Sequence, residues 1–117
     1  MRSAREVIAP EAFERLVAYR RTLDRALPGV VKRMLVFGSR ARSNAGPDSD
    51  FDVAVLLSRN DVKKTEVRSQ ICDAAFEHII DGFGLNPLAL PDDYLDPIDG
   101  HYRTELARRI SKEGLDI

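Results

Sequence analysis

Apolar residues recur at helical spacing between Pro10 and Leu27, where Phe13, Leu16, Val17, Leu23 and Leu27 share one face and Glu14, Arg15, Arg21 and Asp24 fall elsewhere. The pattern predicts an amphipathic helix, opened by a proline suited to a first turn and stopped by Pro28 and Gly29. Val30 to Phe37 is then dense in β-branched and apolar residues and predicts a strand. Gly38 to Pro47 interrupts with small, polar and Gly/Pro/Asn positions, within which Ala41 to Ala45 has room for a single helical turn. Asp50 to Leu57 predicts a second strand whose acidic residues sit only at its beginning, and Ser58 to Asp61 supplies a helix start. Val67, Ile71, Ala74, Ala75 and Ile79 predict one long helix from Asp61 to Phe83, ended by Gly82 and Gly84. Leu85 to Leu90 reads as a third short strand. Gly100 to Glu113, with Leu106 and Ile110 inward, reads as a last helix stopped by Gly114.

The order helix, strand, strand, helix, strand, helix predicts an α/β fold of the α+β sandwich kind: a short mixed sheet flanked by helices, with one helical face. The first two strands are close enough in sequence to pair antiparallel. At 117 residues, with no repeat and no linker, positions 1–117 are expected to form a single domain. Apolar residues at 44% and charged residues at 32% are the composition of a chain that folds.

A net charge of -1 removes any general attraction to nucleic acid or an anionic membrane, so binding has to come from a local site. The longest apolar run, Val53 to Leu57, is far short of the roughly 20 residues of a spanning helix, so no membrane crossing is expected. The first ten residues carry Arg2, Arg5 and Glu6 without an apolar stretch, unlike a secretory signal, and a cytoplasmic location is expected. Cys72 has no partner for an internal disulfide and is expected to be a small buried hydrophobe on a helix. With only His78 and His101 beside it, a structural zinc site is not expected.

The chemistry is concentrated between Phe37 and Leu57. Side chains alternate along a strand, so Asp50 and Asp52 project from one face with Cα atoms roughly 6.6 Å apart, while Phe51, Val53 and Val55 turn to the core. Two unpaired carboxylates side by side repel, and the arrangement is costly unless a cation or an arginine lies between them. Mg²⁺ fits, being a hard ion commonly held by one or two carboxylates together with substrate phosphates. Just upstream, Gly38-Ser39 opens a turn at the end of the first strand. Glycine lets the backbone approach a phosphate, free amides donate to it, and the Ser39 hydroxyl adds a further donor. Arg40 and Arg42 bring positive charge, only one of them with room to face the site closely, and Ser49 adds a hydroxyl beside Asp50. A turn that holds a triphosphate next to aspartates that hold its metal is the equipment of phosphoryl or nucleotidyl transfer.

Gly38-Ser39, ten intervening residues and then Asp50-Phe51-Asp52 resembles the signature of the polymerase-β-like nucleotidyltransferase superfamily, and within it the minimal nucleotidyltransferases. Phe37-Gly-Ser-Arg-Ala-Arg42 and Asp48-Ser-Asp-Phe-Asp-Val53 are similar to that branch's two motif blocks, as is the ending Arg109-Ile-Ser-Lys-Glu-Gly-Leu115. The resemblance implies MgATP as substrate, Mg²⁺ held by Asp50 and Asp52, nucleotide contacts from Gly38, Ser39, Arg40, Arg42 and Ser49, and transfer of AMP to a hydroxyl. Several members of the branch are antitoxins that adenylylate a tyrosine of a HEPN-family toxin, which makes a partner protein the implied acceptor. Larger members that modify antibiotics or extend RNA carry additional domains that have no counterpart in these residues.

One departure stands out. The superfamily pattern places a third carboxylate on the strand after the long helix, where this chain has Leu85-Asn-Pro-Leu-Ala-Leu90. Asn86 accepts only through its amide oxygen and cannot act as a base, and Asp92 and Asp93 lie just beyond the strand. A second expectation therefore stands beside the enzyme: a catalytically degenerate member that binds its partner and neutralises it by contact. Other residues have ordinary roles in prospect. His78 falls on the apolar stripe of the long helix, His101 at the start of the last one, Tyr94 and Tyr102 in packing or at a partner, and Asp96 and Asp99 around the last helix.

Overall fold

The computed structural model describes residues 1–117. Five helices and four strands follow in the order α1 (Ala4–Val7), α2 (Pro10–Ala26), β1 (Val31–Phe37), β2 (Phe51–Leu57), α3 (Arg59–Val62), α4 (Thr65–Ile80), β3 (Leu85–Pro91), α5 (Glu105–Glu113) and β4 (Leu115–Asp116). The strands form one mixed sheet in the spatial order β3-β2-β1-β4. β1 pairs antiparallel with β2 and with β4, while β2 and β3 run parallel. The parallel pair requires a crossover, which α3 and α4 supply.

Alternation along the strands builds two apolar layers. Met34 and Val36 of β1 and Val53, Val55 and Leu57 of β2 face α2 and α4, where they meet Leu16, Leu23, Val67 and Ile71. The hydroxyl of the fully buried Tyr19 donates to the Ile71 carbonyl at 2.8 Å, tying α2 to α4. Leu35, Phe37, Ala54 and Leu56 face the other way, onto Ile110 of α5. The sheet is therefore covered on both faces, and the expectation of one helical face is corrected. The periodicity of α5 showed an inward side but not the layer it belongs to.

Other differences are local. The long helix is two: Ser58 caps α3 by accepting from the Asp61 amide at 3.1 Å, and extended Lys64 (φ -80°, ψ 120°) separates it from α4. α1 and β4 are too short, at four and two residues, to display a period. Ala41 to Ala45 forms no helix; the Gly38 carbonyl instead accepts from the Ala41 and Arg42 amides at 3.0 and 3.2 Å, and Ser43 takes φ 60°. The last helix begins at Glu105, with Thr104 as its cap. His101 thus lies outside it, in a two-residue hairpin whose turn is Asp99 and Gly100, at φ 51° and 79°. Cys72 is exposed on α4, against the expectation of burial, because the inward stripe runs through Val67, Ile71, Ala74 and Ala75. No helix is long and apolar enough to cross a membrane.

Candidate active site

The end of β1 and the start of β2 lie side by side, with Phe37 opposite Asp52, and the parallel register sets Asn86 of β3 against the same aspartate. Antiparallel pairing of β1 and β2 thus returns the Asp50/Asp52 segment to the Gly38-Ser39 turn, as the spacing of the two motifs implied.

Each aspartate rests against a glycine. Gly38 is buried with φ +77°, and a Cβ there would lie 2.5 Å from Asp52 Oδ2. Gly84, immediately before β3, leaves space in which a Cβ would collide with Asp50 Oδ1. Gly84 was not among the residues singled out from sequence, where it read only as a helix stop. Asp50 is exposed and Asp52 half-buried. Asp52 Oδ1 accepts from the Asn86 amide nitrogen at 2.9 Å, so β3, the strand on which the resemblance leads one to expect a third acid, presents a donor to Asp52 instead.

The donors around the turn fall into two groups. The Ser39 and Arg40 amides and the Ser39 hydroxyl make no hydrogen bond within the chain and remain open to an anion. The remaining expected nucleotide contacts are engaged within the chain. Arg40 donates from Nε and Nη2 to the Ser49 carbonyl at 3.0 and 2.7 Å and lies 4.6 Å above the centroid of Phe51, which itself stacks on Phe83 at 4.9 Å. The Ser49 hydroxyl accepts from the Gly46 amide at 3.1 Å. Arg42 pairs with Glu113 at 3.0 Å, and the Gly38 amide donates to the same carboxylate at 2.9 Å. Beside Asp50 opens a cleft of about 270 Å³ bordered by Arg40, Ser49, Ile79 and Phe83.

Asp92 and Asp93 do not replace the missing acid. Pro91 at the end of β3 pairs with Leu57, five strand positions from Asp52 or roughly 17 Å, and both aspartates follow it. Asp93 is held by Arg59 through a hydrogen bond of 3.0 Å from Nε and an ion-pair contact of 2.9 Å from Nη2, which keep its carboxyl below the usual carboxylate range. Asp96 and Asp99 cap nothing in α5, whose cap is Thr104; Tyr94 bonds that same hydroxyl at 2.7 Å, and Tyr102 is exposed.

A mixed sheet with helices on both faces, carrying two aspartates beside a Gly-Ser turn, defines a nucleotidyltransferase-type domain. The family described as "Nucleotidyltransferase domain" matches residues 16–113, and the chain belongs to it. Among solved structures the chain is similar to "Crystal structure of the toxin-antitoxin with AMP-PNP", at 18% identity and a TM-score of 0.54, over 85% of this chain and 69% of that one. At that identity the likeness concerns the fold. A search of curated proteins finds no sequence match.

Proposed function

We propose that this chain transfers AMP from MgATP to a hydroxyl, a tyrosine, of a partner protein, and that it is the cytoplasmic antitoxin of a pair whose toxin belongs to the HEPN family. The observation that carries the reading is the pair Asp50 and Asp52, each against a glycine, next to a turn whose Ser39 donors are open. Membership of the nucleotidyltransferase family supports nucleotidyl transfer, and the fold shared with a toxin-antitoxin structure supports the setting.

The donor set fits Mg²⁺: two carboxylates, one exposed and one half-buried, with hard oxygens and space around them provided by glycine. Asp50 and Asp52 would hold the ion, which when bound supplies neutralisation of the triphosphate charge. Ser39 would grip the phosphate tail and keep the α-phosphorus in line with the acceptor. In the transfer, the acceptor oxygen forms a bond to the α-phosphorus, the bridging bond to the β-phosphate breaks, pyrophosphate leaves and the hydroxyl proton passes to water. Asn86 cannot take that proton, so the chemical step lacks a general base worth roughly 10²–10⁴-fold.

The test is incubation with MgATP and the product of the adjacent gene, followed by intact mass. An added adenylate on the partner is expected. A partner inhibited but unmodified selects the second reading, a binding module that neutralises by contact, which the Asn86 to Asp52 hydrogen bond favours. The variant Asn86→Asp separates the two further: under the transfer reading it speeds adenylylation by at least about tenfold, and under the contact reading it leaves the partner unmodified.

A further inference from the structure

We infer that Glu113 is a positioning residue for the Gly38-Ser39 turn, holding the glycine peptide against Asp52 from the far end of the chain. The inference rests on the nucleotide reading above and adds a residue outside both motif blocks around the turn.

The Gly38 peptide sits between two carboxylates. Its N–H donates to Glu113 Oε1 at 2.9 Å, and a Cβ on its α-carbon would lie 2.5 Å from Asp52 Oδ2. Arg42 Nη1 closes on both oxygens of Glu113 at 3.1 and 3.0 Å, so the same carboxylate fixes the start of the turn and a residue four further on. Only 18% of the Glu113 side chain is exposed, which shields these bonds from water. Arg109 Nη2 approaches at 3.9 Å and completes the surroundings.

The fold delivers Glu113 to this point. α5 ends on it, and the next residue, buried Gly114, is where a Cβ would stand 2.5 Å from the Ile110 carbonyl oxygen. The chain therefore passes from helix to strand without a loop, and Leu115 pairs with Val36, two positions before Gly38. Local preference opposes the choice of residue, because a carboxylate in the last turn of a helix faces the negative end of the helix dipole. Such a conflict persists where tertiary contacts compensate it, and here the compensation is Gly38 and Arg42. With those two donors committed, the ones left for an anion are the Ser39 and Arg40 amides and the Ser39 hydroxyl. Glu113 sets their direction without touching the ligand.

The experiment is titration of MgATP into wild type, Glu113→Ala, Glu113→Asp and Glu113→Gln by calorimetry, with amide hydrogen exchange at Gly38 followed in parallel without nucleotide. Asp is one methylene too short to reach Gly38, while the Gln amide oxygen still accepts from it. Expected are a Kd raised about tenfold or more in Ala and Asp and a smaller rise in Gln, with faster exchange at Gly38 in Ala and Asp. Should Ala fail to fold, Asp decides. A Kd equal to wild type in the folded Asp variant, whatever its thermal midpoint, overturns the inference. Wild type taking up no MgATP overturns the nucleotide reading instead; the clamp is then upheld by accelerated Gly38 exchange and overturned by unchanged exchange.

Discussion

Gly38 and Gly84 admit no β-carbon without moving an aspartate, and they differ in what else a side chain would meet. At Gly38 the positive φ adds backbone strain, so Gly38→Ala is expected to lower stability by about 1–3 kcal/mol as well as displace Asp52. At Gly84 no such φ applies, so Gly84→Ala is expected to shift Asp50 and weaken MgATP binding with a smaller loss in thermal melting. Chemical denaturation beside calorimetry separates the two. His78 supplies a pH dependence. Partial burial, with Arg15 nearby, holds its imidazole below the ordinary 6.5. The folded protein therefore resists protonation more than the unfolded chain does; the stability involved is whole above about pH 6.5 and is lost as pH falls through the lower folded value. Melting of wild type and His78→Gln is expected to diverge in that descent, wild type losing more. Single residues were legible where one principle governs them, as with the aspartates on a strand start. Cys72 was not, since a helix with a narrow buried stripe leaves a small hydrophobe either place. The Asp99-Gly100 turn carried a hairpin signal that the polar surroundings of a helix start obscured.

Among the elements, α5 has the most to do with the site, because its last residue reaches Gly38. Its first turn is held by Thr104, whose hydroxyl accepts from the Ala107 amide at 3.0 Å and bonds Tyr94. Thr104→Ala is expected to cost about 0.5–2 kcal/mol in denaturant unfolding. Because Ile110 and β4 still anchor the C-terminal end, MgATP affinity is expected to remain close to wild type; a large loss of affinity would mean that the helix is held from its start. Elements with a full period, α2, β1, β2 and the body of α4, were readable in the sequence. Those that tertiary contacts impose are harder to see: α1 and β4 are too short to display a period beside Pro10 and Gly114, which read only as a helix start and a helix stop, and no Gly or Pro announces the break at Lys64.

For the whole molecule, the arrangement of strands brings both chemical motifs to one end of the sheet. β1 leaves where β2 enters, so a turn of small residues and a pair of acids meet by antiparallel pairing, and β3 adds Gly84 and Asn86 at the same end. The meeting of the two motifs followed from spacing, whereas the arrival of Gly84 and Asn86 beside them depends on the parallel register of β3 on β2, which spacing did not specify. The contact between Gly38 and Glu113 joins residues 75 positions apart and depends on β4 closing the other sheet edge, which no local pattern encodes. The central claim is that Asp50 and Asp52 together bind a nucleotide through its metal. Its most direct test is calorimetric titration of MgATP into wild type and the folded Asp50→Asn/Asp52→Asn variant. Saturable heat in wild type that disappears in the variant is the expected result; the same heat in both would contradict the claim.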